Sequence, residues 1–141
     1  MMRMLAAAVG CLAAAGSAAA ADSFDVGKWE YQNNCVVCHG TSGKGDGPFK
    51  GMVDTPAGAD LTTLAARNNG VFPFARVYET IDGTQTVKAH GTREMPIWGA
   101  DYALRAQALK EQYGSGQYDP DVFVRARILA LTEYVYRLQA K

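Results

Sequence analysis

The sequence predicts a helical fold, and three observations predict it. Phe74, Val77, Tyr78 and Ile81 recur at i, i+3, i+4 and i+7, one apolar stripe on a helix. Val124, Ile128, Leu131, Val135 and Leu138 step alternately by four and three residues, a single continuous seam. Both runs carry helix punctuation: Pro73 opens the first, Gly83 closes it, and Asp119-Pro120 opens the second. The 141 residues have no formal net charge, and 48% are hydrophobic against 20% charged. That balance suits one globular domain and excludes a disordered chain. No basic excess or arginine stripe is present to engage nucleic acid.

Residues 1–21 read as an export signal. Arg3 gives a positive start, Leu5 to Ala15 is apolar, and Ala19-Ala20-Ala21 has the A-x-A form of a cleavage site before Asp22. The expectation is a periplasmic protein whose single domain is residues 22–141. A membrane anchor is the competing reading, but the apolar run to Ala21 is short for a span and alanine-rich. Lipidation at Cys11 fits less well still, because few apolar residues precede Cys11 and the apolar run continues past it.

Asp22–Asn34 reads as a short helix, capped by Ser23 or Asp25, with Val26, Trp29 and Asn33 on one side. Gly27 weakens it by roughly 1 kcal/mol relative to alanine, which suggests a close neighbour there. The stretch 40–58 is a loop holding six glycines, Pro48 and Pro56, as in a chain that bends tightly around something. It is not a phosphate cradle, since no strand precedes it and Gly43-Lys44-Gly45 lacks that signature. Asp60–Leu64 opens one helical turn, and 84–99 is a second loop. A polar helix runs from Asp101 to about Gln112, Gly114-Ser115-Gly116 breaks it, and the last helix follows.

Between the first helix and the first loop stands Cys35-Val36-Val37-Cys38-His39, the C-x-x-C-H pattern that attaches c-type haem. Two thiols on one turn can each add to a vinyl group of the same porphyrin. The next residue then lies under the ring, where an imidazole can bind iron. In an oxidising compartment the two thiols would otherwise tend to form a disulfide. Other C-x-x-C chemistries fit less well. A thioredoxin-type motif needs a βαβ pattern, which is absent. A structural zinc site takes four ligands, and the chain past residue 21 offers only two cysteines and two histidines.

Four pieces together resemble the class I c-type cytochromes, small monohaem electron carriers of bacteria. They are Asn34–Gly40, Gly43-Lys44-Gly45-Asp46-Gly47-Pro48, Met95-Pro96-Ile97-Trp98-Gly99, and Leu131-Thr132-Glu133-Tyr134-Val135 in the last helix. The resemblance implies an all-α fold whose first and last helices cross around one covalently bound haem, with Gly27 meeting Tyr134. It also implies that the Pro48 carbonyl accepts the ring N–H of His39, support that fixes the tautomer and raises ligand basicity. The stretch Asp101–Gln117 is longer than a minimal family member needs.

Past residue 21 the chain has only two methionines, Met52 and Met95. A thioether is a soft, weak iron ligand that raises the reduction potential. Met95, in the proline-stiffened loop, is the expected distal ligand. Met52 lies in the loop leaving the proximal side and reads as core filler. His90 is the rival to Met95, since imidazole also binds iron. Trp98 and Tyr78 are expected near the porphyrin, and Arg76 and Arg93 are candidates to pair with propionates. Lys44, Lys50, Lys88 and Arg93 flank the haem loops as a candidate docking rim.

These readings converge on a one-electron carrier and not an enzyme. Cys35 and Cys38 hold one haem c, and His39 and Met95 are its axial ligands. The expected partners are redox donors and acceptors, membrane-bound respiratory or periplasmic, with no small-molecule substrate. The alternatives are a haem subunit of a dehydrogenase or oxidase complex, and a haem sensor or peroxidase-like protein with a labile sixth ligand.

Overall fold

A computed structural model describes residues 23–50, 59–84, 97–114 and 119–140. Among these the fold is all-α: α1 (Val26–Asn34), α2 (Val36–His39), α3 (Phe74–Asp82), α4 (Trp98–Tyr113) and α5 (Pro120–Arg137). A short 3-10 turn covers Ala66–Asn68, and one isolated bridge joins Lys44 to Asp60.

The crossing of α1 and α5 organises the rest. A Cβ at Gly27 would overlap the backbone carbonyl oxygen of Ala130, and would lie 2.8 Å from that carbonyl carbon and 3.0 Å from Tyr134 Cβ. Only a residue without a side chain lets the two backbones come this close. The expected meeting of Gly27 with Tyr134 is therefore observed. Asp25 caps α1 by accepting the Lys28 N–H at 2.9 Å, and its carboxylate takes a two-pronged contact from Arg137 of α5 at 2.8 and 3.0 Å.

The buried side of α1 differs from the sequence reading. Gly27, Glu30 and Tyr31 face inward, whereas Trp29 is 41% exposed and Asn33 is exposed. The reason is the crossing itself. α5 can lie against α1 only over the glycine, so the residues three and four positions further on share the buried face. Trp29 instead packs on the outside, against Phe24 and beside the Arg127 guanidinium.

The last helix follows expectation. Asp119 accepts the N–H groups of Asp121 and Val122, Pro120 sits in the first turn, and Ile128, Leu131 and Val135 are buried. The core joins Tyr31, Ile81, Tyr102, Ile128 and Leu131, with Val77, Tyr78, Val124 and Leu138 packed around them. Gly83 closes α3 in the left-handed conformation, as anticipated. Phe74, at the head of the α3 stripe, is nonetheless exposed. α4 begins at Trp98, not Asp101, so Trp98 and Gly99 belong to a helix and not to the loop assigned to them. Its Tyr102 is completely buried, which makes this longer stretch an integral layer of the core.

Candidate functional site

Cys35 stands at the joint between α1 and α2. Its N–H still donates to the Tyr31 carbonyl at 2.9 Å, while its own carbonyl accepts from Cys38 at 3.2 Å and His39 at 2.9 Å. Both thiols and the imidazole thus issue from one helical turn. Neither Cys35 nor Cys38 is in a disulfide.

A four-residue helix leaves all of its last carbonyls to be satisfied from outside. The glycine loop does this. Phe49, Gly47 and Gly45 donate their N–H groups to the carbonyls of Val37, Cys38 and His39 at 3.0, 3.3 and 2.9 Å. A Cβ at Gly47 would come within 2.5 Å of the Val36 and Val37 carbonyl oxygens, so the loop must be bare at that point. What the loop bends around, on the described side, is the end of the motif itself. Tyr31 adds a second tie, its hydroxyl donating to the Gly40 carbonyl at 2.8 Å.

The imidazole of His39 is held by a backbone carbonyl, but not by that of Pro48. His39 Nδ1 lies 2.8 Å from the carbonyl oxygen of Ala59. The turn at Pro48 sits over the end of α2, where its neighbours cap the helix. Residue 59 is brought beside His39 by the Lys44–Asp60 bridge and by the Leu61 N–H donating to the Gly43 carbonyl at 2.7 Å. A carbonyl can only accept, so Nδ1 carries a proton, and in the neutral ring the lone pair is on Nε2. That is the tautomer a metal-binding imidazole requires.

The segment carrying Ala59 is clamped in turn by the residues that follow α5. Gln139 Nε2 donates to the carbonyls of Leu61 and Val135 at 2.7 and 2.8 Å, and its Oε1 accepts the Ala65 N–H at 2.9 Å. The Ala140 N–H donates to the Thr62 carbonyl at 2.9 Å. Asp60 caps the same turn through Thr62, whose hydroxyl holds the Asp60 carboxyl below its usual range. Sequence reading missed Ala59, Gln139 and Tyr31. Only Tyr31 left a signal, four residues after Gly27 and so on the same helical face.

Burial pushes the Cys35 thiol up to about 12, with the carboxylate of Glu30 adding to the effect. Tyr31 is likewise raised by burial and by its proximity to Cys35. A neutral thioether suits such surroundings better than a thiolate.

Of the other candidates, Trp98 is half-buried against Tyr102, with ring centroids 6.3 Å apart, and Tyr78 packs on the core. Arg76, Lys44 and Lys50 are exposed. Met52, Lys88, His90, Arg93, Met95 and the residues up to Asp22, Cys11 among them, lie outside the described residues. No group of three or more metal-ligating side chains occurs among the described residues.

The thiols, their spacing and the carbonyl-held imidazole fit a covalently attached haem. A family model described as Cytochrome c matches residues 24–117. The chain belongs to the cytochrome c family. Its cofactor is haem c with its iron, bound covalently, and its chemistry is haem-based electron transfer. The match ends before α5, which joins the fold through its packing on α1 and α4. Neither the curated proteins nor the solved structures gave a match.

Proposed function

We propose that this cytochrome is an exported one-electron carrier with a six-coordinate haem. Cys35 and Cys38 form the thioethers, His39 is the proximal ligand and Met95 the distal one. The leader ends near Ala21, and the carrier shuttles between redox proteins outside the cytoplasm, membrane-bound respiratory or periplasmic.

The observation that carries the reading is the His39–Ala59 hydrogen bond, 2.8 Å long, on the same turn as two free cysteines. It leaves Nε2 as the free donor atom, and a fixed ring orientation strengthens it as a ligand. When bound, the iron supplies a one-electron couple, with a potential set by its ligands and their surroundings. The chain's part is to keep the geometry constant between the two oxidation states. The capped α2, the loop tied to its end and the Gln139 clamp all serve that end. With His39 and Met95 both holding the iron, no coordination position would be left for a substrate.

The ligand assignment is tested by Met95→Ala. The wild-type ferric protein should have the weak near-infrared band of methionine-ligated iron and resist cyanide. The variant should lose the band and bind cyanide readily. A variant with an unchanged spectrum removes Met95 from the site, and a wild type without the band brings His90 forward.

A further inference from the structure

We propose that the buried Glu30 and its half-buried partner Arg127 are a charge pair that sets the reduction potential of the haem carried on Cys35. The proposal rests on the attachment of that haem at Cys35. Glu30 is 1% exposed, and three donors from three helices converge on it. Asn34 of α1 donates to Oε2 at 2.8 Å, and the Tyr102 hydroxyl of α4 donates to the same oxygen at 3.0 Å. Arg127 of α5 meets Oε1 at 2.7 Å. Among the described residues, Arg105, 5.7 Å over the Tyr102 ring, and its ion-pair partner Asp101 also lie on this side.

Glu30 lies five residues before Cys35, a backbone rise of about 7.5 Å along the helix axis. Asn34, one of its donors, adjoins Cys35 directly. The two charges are not equally screened. The Glu30 side chain is 2% exposed, whereas that of Arg127 is 26% exposed and rests on the faces of Phe123 and Trp29. The less screened charge is negative and lies on the helix that leads into Cys35, and in a low-dielectric interior it would favour the ferric over the ferrous state of a haem held there. A buried ion pair contributes little stability that packed apolar residues would not, so stability alone gives no reason for one here.

Glu30→Gln should therefore raise the reduction potential, and the shift should persist at high salt because the site is buried. Arg127→Gln should give a potential that falls as pH rises, beyond any fall in wild type, as the unpaired carboxylate loses its proton. The double variant Glu30→Gln/Arg127→Gln should lack that extra pH dependence. Arg127→Lys keeps the charge and should stay near wild type, a comparison that carries the test if Glu30→Gln does not fold. Potentials are read by spectroelectrochemistry on protein whose haem survives denaturation. A role confined to packing would move the potential in Arg127→Lys as much as in Arg127→Gln, or leave the pH dependence of Arg127→Gln unchanged. Either result overturns the proposal. A wild type that loses its haem on denaturation instead refutes the attachment site on which it rests.

Discussion

Gly27→Ala is the sharpest test of the helix crossing, because local and tertiary effects have opposite signs. In an isolated α1 the substitution is favourable by about 1 kcal/mol. In the folded chain the new methyl group would overlap the Ala130 carbonyl oxygen and lie 3.0 Å from Tyr134 Cβ. The obstruction is backbone, so no rotamer change relieves it, and α1 and α5 must move apart. Overpacking of this kind costs up to about 3 kcal/mol, which leaves a net loss of about 2 kcal/mol. For a domain of this size that lowers the melting temperature by roughly 6–10 °C. The assay is thermal and denaturant unfolding of haem-loaded protein, followed by circular dichroism, with an unchanged denaturant slope. Adding Ala130→Gly should not rescue it, since the carbonyl stays. A Gly27→Ala protein as stable as wild type, or more so, would refute the crossing geometry.

Two further outcomes follow from the ties around the site. Arg137 and the Lys28 N–H hold the Asp25 carboxyl down to about 2. Its stabilising effect is thus fully present above the ordinary aspartate range near 4 and is lost as pH falls toward 2. Asp25→Asn keeps the cap but not the charge, so its stability deficit should be small at neutral pH and disappear in acid; a deficit that grows in acid would contradict the pairing. Gln139→Ala removes three hydrogen bonds and leaves the Ala65 N–H without its partner. It should cost about 1–3 kcal/mol in equilibrium unfolding, and an unchanged midpoint would exclude the clamp.

The haem motif was legible because it is local: two cysteines and a histidine on one turn carry their chemistry in their spacing. The last helix was legible for a similar reason, since Asp119, Pro120 and the Ile128–Leu131–Val135 seam are short-range signals. The partner of His39 was not. Every residue offers a carbonyl, so nothing in the residue types separates Ala59 from Pro48, and only the Lys44–Asp60 bridge decides between them. The buried face of α1 was misjudged because an aromatic, Trp29, outweighs a glycine in any apolar count. The glycine, through its missing side chain, admits α5. Glu30 had no local signal, since a lone glutamate in a helix usually faces water, and its Arg127 and Tyr102 partners lie on helices remote in sequence. The start of α4 at Trp98 was obscured by Pro96 and Gly99, both loop-formers by type.

The central claim is that Cys35 and Cys38 hold one haem covalently, with His39 beneath it. The most direct measurement is a pyridine haemochrome spectrum of the purified protein before and after acid–acetone extraction, with the mass of the denatured chain. The account predicts one haem per chain, retained through extraction, with the spectrum of a haem bearing two thioethers. Haem lost to the solvent phase, or a denatured chain with no added haem mass, would contradict it.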